Sequence, residues 1–185
     1  SSDLKNQAFS ISDYNRRCET LYIIHEKYDF FLPCPCSPTS LSCGYHIMNA
    51  GMGCGFDCVY CYLQGYVNAP GIVIPGNLDD ILQRFTDYYH PQMRLGTGQF
   101  TDSLFLDDLT GFSRQIIEHF RAFSDVTFEL KTKSRCVEGI LSTPPAENIV
   151  ISWSLNPRRI VEALEYRTAT LAERIDAAHR CAQAG

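Results

Sequence analysis

Three cysteines fall within eight residues, Cys54, Cys58 and Cys61, with three and then two residues between them. Thiolates are soft ligands and favour iron–sulfur clusters, zinc or copper(I). A four-iron cluster normally takes four cysteines. Three at this spacing can hold three irons and leave the fourth open to a substrate or co-substrate. Gly51, Gly53 and Gly55 let the backbone wrap closely around a bulky inorganic group. The alternative is a zinc knot completed by an outside cysteine. Zinc sites usually pair C-x2-C with a second such pair or with histidines, and no histidine pair is evident.

Other residues of chemical interest read more plainly. Cys34, Cys36 and Cys43 lie in a separate Pro/Ser-rich stretch. They could ligate a second metal, but C-x-C is not a strong metal spacing by itself, so they read as buried or loop thiols near the main cluster. His25, His46, His90, His119 and His179 are scattered and read as unpaired surface or core residues. Arg16 with Arg17, and Arg158 with Arg159, form small basic pairs that read as solvated surface.

Composition bounds what surrounds this chemistry. At 185 residues the chain is one domain by length and large enough for a core. A hydrophobic share of 45% and an aromatic share of 12% read as globular. No apolar run reaches the length of a membrane span. The polar N-terminal residues do not read as a signal peptide. Nine cysteines, with three so tightly spaced, fit metal binding in a reducing, cytoplasmic compartment better than a disulfide framework. A net charge of −5 gives no support to broad, non-specific nucleic-acid binding.

The elements that must position the cysteines follow from periodicity. Residues 1–44 read as an N-terminal extension, with a short strand at 20–25 and a loop at 30–40, where three prolines argue against regular structure. Residues 45–50 alternate and predict the first strand, leading into the cluster loop. A short extended piece at 71–75 precedes a helix over 78–89, capped by Asn77 with acids in its first turn. A second strand at 93–96 ends in Gly96-Thr97-Gly98-Gln99. A helix over 109–123 carries Ile116, Ile117, Phe120 and Phe123 on one face. Strands at 126–130 and 148–154, a short helix at 136–141, a helical region opening at Pro157 and a final helix over 170–184 complete the pattern. Strand–helix repeated four times predicts a parallel sheet with right-handed crossovers. In such folds ligands sit at the carboxyl ends of strands. Four groups fall there: the cluster loop, Gly96 to Thr101, Lys131 with Lys133, and Ser154 with Asn156.

The C-x3-C-x2-C spacing, with an aromatic before the last cysteine, resembles the radical S-adenosylmethionine superfamily. Within it, the run CVYCYLQ at 58–64 resembles the spore photoproduct lyase family, as do residues 126–134, 150–156 and 173–185. The resemblance implies an α/β fold: a partial (β/α) barrel, of which 45–185 would supply the N-terminal four of six strand–helix units. The chain stops where a fifth strand would begin, so it looks like the N-terminal part of a longer protein.

The resemblance also implies a function. Cys54, Cys58 and Cys61 would bind a [4Fe-4S] cluster whose open iron chelates S-adenosylmethionine, giving a 5′-deoxyadenosyl radical on reduction by a donor such as flavodoxin or ferredoxin. The enzyme would be a lyase that repairs spore photoproduct, a thymine-dimer lesion in DNA flipped out of the stack. Gly96, Thr97, Gly98 and Gln99 match the superfamily's glycine-rich cofactor segment. Lys133 would neutralise the cofactor carboxylate, with Lys131 and Arg135 as substitutes. Ser154 matches a Ser-Ile-Asn element and would hydrogen-bond the cofactor. Thr101 and Asp102 match a serine and an aspartate of the family's Cys-Thr-Ser-Asp run. Tyr60 and Tyr62 occupy the positions of a hydrogen-atom relay, or simply pack around the cluster. One residue departs from the pattern: Gln99 stands where the lyase has the cysteine that quenches the substrate radical. That leaves open a radical enzyme of the same fold with a non-DNA substrate, and also a non-catalytic zinc- or cluster-binding module.

Overall fold

The computed structural model describes residues 10–25, 30–37, 39, 41, 43–67 and 69–185. In chain order the elements are α1 (Ile11–Asn15), β1 (Leu21–Ile24), β2 (Phe31–Pro33), β3 (Tyr45–Met48), β4 (Asp57–Cys58), α2 (Leu63–Tyr66), β5 (Ile72–Pro75) and α3 (Leu78–Tyr88). There follow β6 (Arg94–Gly96), α4 (Asp107–Thr110), α5 (Phe112–Phe120), β7 (Thr127–Thr132), α6 (Glu138–Leu141), β8 (Ile149–Trp153), α7 (Arg158–Leu164), β9 (Glu165–Tyr166) and α8 (Leu171–Ala184).

The main sheet has the order β2-β3-β6-β7-β8. Its last four strands are parallel, with Ile47 opposite Gly96, Gly96 opposite Glu129, and Thr132 opposite Trp153. Each new strand is added beside the previous one, with helices between. That one-way progression is the winding of a (β/α) barrel rather than of a doubly wound sheet. The α/β partial barrel expected from the sequence is therefore present, and no described strand pairs with the far side of β8.

The core lies between this sheet and the helices α3 and α5. Amphipathic spacing turns Leu78, Ile81, Leu82 and Phe85 of α3 inward, and Ile116, Ile117 and Phe120 of α5. Phe120 stacks on Phe128 of β7 with ring centroids 4.0 Å apart, and Phe85 meets Phe120 edge-on at 4.7 Å. The helix expected over 109–123 is two helices. The chain turns through left-handed Gly111, and the buried Asp107 carboxylate accepts from Ser113 N at 2.7 Å and Ser113 Oγ at 2.6 Å. That carboxylate caps the start of α5, which sequence spacing does not reveal.

The first 44 residues, read from sequence as an extension, supply strands to the main sheet and to one of the two two-stranded sheets. β1 lies parallel to β5, with Leu21 opposite Ile72. β2 lies antiparallel to β3, with Phe31 opposite Met48 and Pro33 opposite His46. The loop expected over 30–40 is therefore corrected at its start; positions 38 and 40 are outside the described residues. Proline lacks a donor but is tolerated on an edge strand, and β2 is the edge here. α8 begins as its sequence suggests, with a reciprocal capping box between Thr170 and Glu173.

Candidate functional site

The loop after β3 carries Cys54, Cys58 and Cys61, and the fold secures it from several sides. Met52 and Val73 exchange backbone hydrogen bonds at 2.9 and 2.7 Å, tying the loop to β5. Gly53 N donates to Phe100 O at 2.8 Å. β4 pairs antiparallel with β9, so Cys58 sits opposite Glu165. The Gln64 amide donates to Cys58 O at 2.7 Å and to Asp57 Oδ1 at 3.1 Å. Gly53 adopts φ +82°, and a Cβ there would stand 2.9 Å from Gly71 O. The glycine is required by an approach of protein to protein, not by room for an inorganic group.

The four strand-end groups converge. The Asp102 carboxylate accepts from Thr132 Oγ1 at 2.6 Å, Lys133 N at 2.7 Å and Leu104 N at 3.0 Å, joining the loop after β6 to the end of β7. Ser154 N donates to Thr132 O at 2.9 Å, joining β7 to the end of β8. Asn156 Nδ2 donates to the Tyr60 hydroxyl at 3.0 Å, which returns to the cluster loop. With Gly53 bonded to Phe100, the rim closes into a ring of hydrogen bonds at the carboxyl ends of β3, β6, β7 and β8.

Around that ring the residues differ in what they do. Lys133 Nζ lies 6.0 Å from the centre of the Tyr60 ring, so the cation faces the cluster loop. Lys131 instead pairs with Glu129 at 3.8 Å, and Arg135 pairs with Glu173. Both flanking cations are thus engaged by carboxylates, whereas Lys133 is the one placed against the Tyr60 ring. Thr97 is buried and its hydroxyl meets Ser103 Oγ at 2.6 Å. Gly96 is filled on its side-chain side by the Tyr45 hydroxyl, and Gly98 adopts φ +94° beside Lys131 O and Ser103. Gln99 is half-buried. Thr101 is half-buried and lines a cleft with Asp102, Phe105 and Ala50. Ser154 gives its carbonyl to Arg174 Nη1 at 2.9 Å, leaving its hydroxyl without a partner among the described residues.

Tyr60 donates its phenol hydrogen to Glu165 Oε1. Burial first, and that carboxylate second, hold the phenol well above its usual pKa. Tyr62 is 66% exposed, and its ring meets Tyr66 at 6.3 Å. Burial pushes the Cys54 thiol up to about 12, helped by the Asp102 carboxylate. Burial likewise lifts Cys58 to about 11, with Lys133 pulling the other way. Loading a metal onto these thiols must expel their protons, so assembly is favoured by rising pH.

Sequence reasoning missed several partners of this site. Arg17, read as solvated surface, binds Asp57 of the cluster loop at 2.7 Å and lies 4.1 Å over the Tyr14 ring. Cys18 lines a cleft with Arg17, Cys54 and Cys61, its thiol 3.8 Å from Cys54 O. Arg174 of α8 is wholly buried and pairs with Glu165 at 2.5 Å, the carboxylate that holds Tyr60. Its only signal was a charge at 174 on the helix stripe that also carries Ala177 and Cys181. The histidines are not all unpaired: His46 Nε2 lies 3.3 Å from His90 Nε2, with His46 Nδ1 on the Tyr88 hydroxyl at 2.7 Å.

The donor set can be tested for fit. Among the described residues, Cys34, Cys36 and Cys43 are the set of three metal-ligating side chains whose ligand atoms lie within 4.8 Å of one another. The thiols of Cys54, Cys58 and Cys61 do not converge that far. Sulfurs on one ion must crowd together, whereas sulfurs on the separate irons of a cluster diverge. Three thiols on one loop that are not gathered to single-ion spacing are compatible with a multi-iron cluster. The other trio is not near this loop. Cys34 N bonds Tyr45 O at 2.8 Å, at the start of β3, while the cluster loop leaves the strand's other end.

A protein-family model described as spore photoproduct lyase matches residues 36–185. The spore photoproduct lyase of Clostridium acetobutylicum is 28% identical over 138 residues, covering 72% of this chain and 41% of its own length. That of a Geobacillus species is 30% identical over 138 residues, covering 72% and 40%. A solved mutant of spore photoproduct lyase with bound AdoMet and dinucleoside spore photoproduct shares the fold, with a TM-score of 0.78 at 24% identity over 97% of this chain and 52% of that one. The chain thus spans about two fifths of the length of these curated relatives. No helix among the described residues is long and apolar enough to cross a membrane.

Proposed function

The chain belongs to the spore photoproduct lyase family, and from that premise we propose that the rim is the cofactor end of a radical S-adenosylmethionine lyase acting on thymine-dimer lesions in DNA. Cys54, Cys58 and Cys61 would hold a [4Fe-4S] cluster and, with S-adenosylmethionine at its open iron, supply a 5′-deoxyadenosyl radical on reduction. Lys133 meets the cofactor carboxylate, the role for which its ammonium faces the cluster loop. Ser154 offers an uncommitted hydroxyl, and Gly96, Thr97, Gly98, Gln99 and Thr101 form the segment that follows the methionine moiety.

Tyr60 and Tyr62 act as the hydrogen relay. Glu165 and Asn156 fix the Tyr60 hydroxyl, and burial with the Glu165 carboxylate raises its pKa above the ordinary phenol value. Exposed Tyr62 lies two residues further along the same loop. A flavodoxin- or ferredoxin-type donor supplies the electron. Nine unpaired cysteines suit a reducing, cytoplasmic setting.

The observation that carries this reading is the closed ring of hydrogen bonds linking Cys-bearing loop, Asp102, Lys133, Ser154 and Tyr60. One residue favours a second reading. Gln99 cannot donate a hydrogen atom usefully, so the same cofactor chemistry could serve a different, non-DNA substrate. The test is an anaerobic assay of cluster-reconstituted protein with dithionite, S-adenosylmethionine and dinucleotide spore photoproduct. Repaired dinucleotide with 5′-deoxyadenosine is expected. Deoxyadenosine without repair moves the substrate to the second reading. No deoxyadenosine from iron-loaded protein overturns both.

A further inference from the structure

The hairpin joining β2 to β3 carries the second thiol set. The ladder pairs Phe31 with Met48, Leu32 with Ile47 and Pro33 with His46. Cys34 N continues it to Tyr45 O at 2.8 Å, so Cys34 is fixed by strand pairing. Cys36 N then bonds Cys34 O at 2.7 Å, which folds the chain back on itself. The fold-back brings Cys36 Sγ to 3.3 Å from Cys43 Sγ on the returning arm. All three sulfurs lie within 4.8 Å of one another.

These spacings discriminate between uses. A zinc–sulfur bond of ~2.3 Å in a tetrahedral site places neighbouring sulfurs about 3.8 Å apart. The 3.3 Å pair and the 4.8 Å outer limit lie on either side of that value. A disulfide would bring two sulfurs to roughly 2.05 Å and leave the third cysteine with nothing to do. A multi-iron cluster would hold its cysteines wider apart. Cys34 and Cys36 are half-buried and Cys43 is exposed, so the outer side of the trio opens to solvent.

We propose that Cys34, Cys36 and Cys43 bind a single thiophilic divalent ion of the zinc class, with the fourth position open on the solvent side. Binding converts three thiols to thiolates and releases their protons to solvent. The ion cross-links the two arms of the hairpin just beyond the last strand pair, and so clamps the edge strand β2 onto β3. The site stands at the amino end of β3, the end of a (β/α) sheet that serves stability, and does not draw on the cofactor chemistry at the other end.

The test uses the protein carrying Cys54→Ala, Cys58→Ala and Cys61→Ala, purified without oxygen and titrated with Co²⁺ alone. This background cannot bind the cluster, so the result is independent of the radical reading. Saturation at one cobalt per chain is expected, with thiolate-to-cobalt charge-transfer bands and intense tetrahedral d–d bands. Adding Cys36→Ser, or Cys43→Ser at the exposed position, should weaken cobalt binding by more than ~100-fold, beyond the loss typical of outer-shell changes. Wild-type protein should also retain one zinc per chain beside its iron. The proposal is overturned by a cobalt spectrum without thiolate charge transfer, by one that both serine variants leave unchanged, or by a Cys36–Cys43 disulfide in protein kept reduced throughout.

Discussion

Two thiol-bearing segments hang from opposite ends of β3. At its carboxyl end, Cys54, Cys58 and Cys61 are spread along a loop that the protein grips through β5, β9, Phe100, Gln64 and Arg17. At its amino end, Cys34, Cys36 and Cys43 crowd within 4.8 Å on a hairpin whose grip is backbone pairing to one strand. The contrast shows that cysteine spacing in sequence and sulfur spacing in space carry different information. The tight sequence motif gives the set whose sulfurs are not gathered to single-ion spacing. The loose one gives the set whose sulfurs are.

The comparison breaks most sharply on iron. Of the three loop cysteines Cys58 is the one buried as a whole residue, and it is held opposite Glu165 in a two-stranded pair. Cys58→Ala should leave too few thiolates for a stable cluster, so iron per chain falls to background and deoxyadenosine formation with it. Cys43→Ser should leave iron per chain at the wild-type level. Iron and zinc counted together on both variants, by elemental analysis of anaerobic protein, read the two poles separately. If Cys43→Ser strips the iron as well, the poles are not independent.

A second difference lies in how each pole is held. Arg174 and Glu165 form a wholly buried ion pair that also fixes Tyr60, Asn156 and the Ser154 carbonyl. Nothing comparable is present at the hairpin among the described residues. Arg174→Met leaves a buried carboxylate without its cation, which should cost roughly 3–5 kcal/mol in chemical denaturation. A pH signature goes with it. Burial works to raise the Glu165 carboxyl, but hydrogen bonds from Tyr60, Asn156 and Arg174 outweigh it and hold the pKa below the usual value. A depressed carboxyl stabilises the fold above its unfolded pKa of about 4.3, and that stability is lost as pH falls through the folded value. Stability should therefore drop on acidification below about pH 4.3, and Arg174→Met should flatten that part of the profile. An unchanged acid limb would show that the ion pair is not what holds this pole.

How much of this was legible beforehand depends on the range of the contact. The tight cysteine spacing, the four parallel strands and the final helix from about Thr170 are local patterns, so residue spacing alone exposes them. Arg17 with Asp57, Glu165 with Arg174, and His46 with His90 meet only because distant segments fold together. A pair of adjacent arginines looks like surface until one of them is seen across a strand end. The hairpin trio was visible as three possible ligands but read as loop thiols, for a related reason. Proline at 33 argued against a strand, yet that strand is what sets Cys34 beside Tyr45 and brings the three thiols together.

The smallest effect separates two glycines, one at each pole. Gly53 of the cluster loop and Gly44 of the hairpin adopt similar left-handed φ values, +82° and +63°. Alanine in that region costs roughly 1–2 kcal/mol wherever it occurs. At Gly44 the added methyl would meet open space, so that conformational cost is the whole effect. At Gly53 it would stand 2.9 Å from Gly71 O, a backbone atom that cannot swing away. Gly53→Ala should therefore destabilise the fold more than Gly44→Ala, by an excess on the order of 1 kcal/mol from overpacking. It should also loosen the Met52–Val73 bridge that anchors the cluster loop, visible as faster amide exchange at those two positions. Equal losses from the two substitutions would mean that the cluster loop is no more tightly gripped than the hairpin, and the contrast between the poles would rest on sulfur spacing alone.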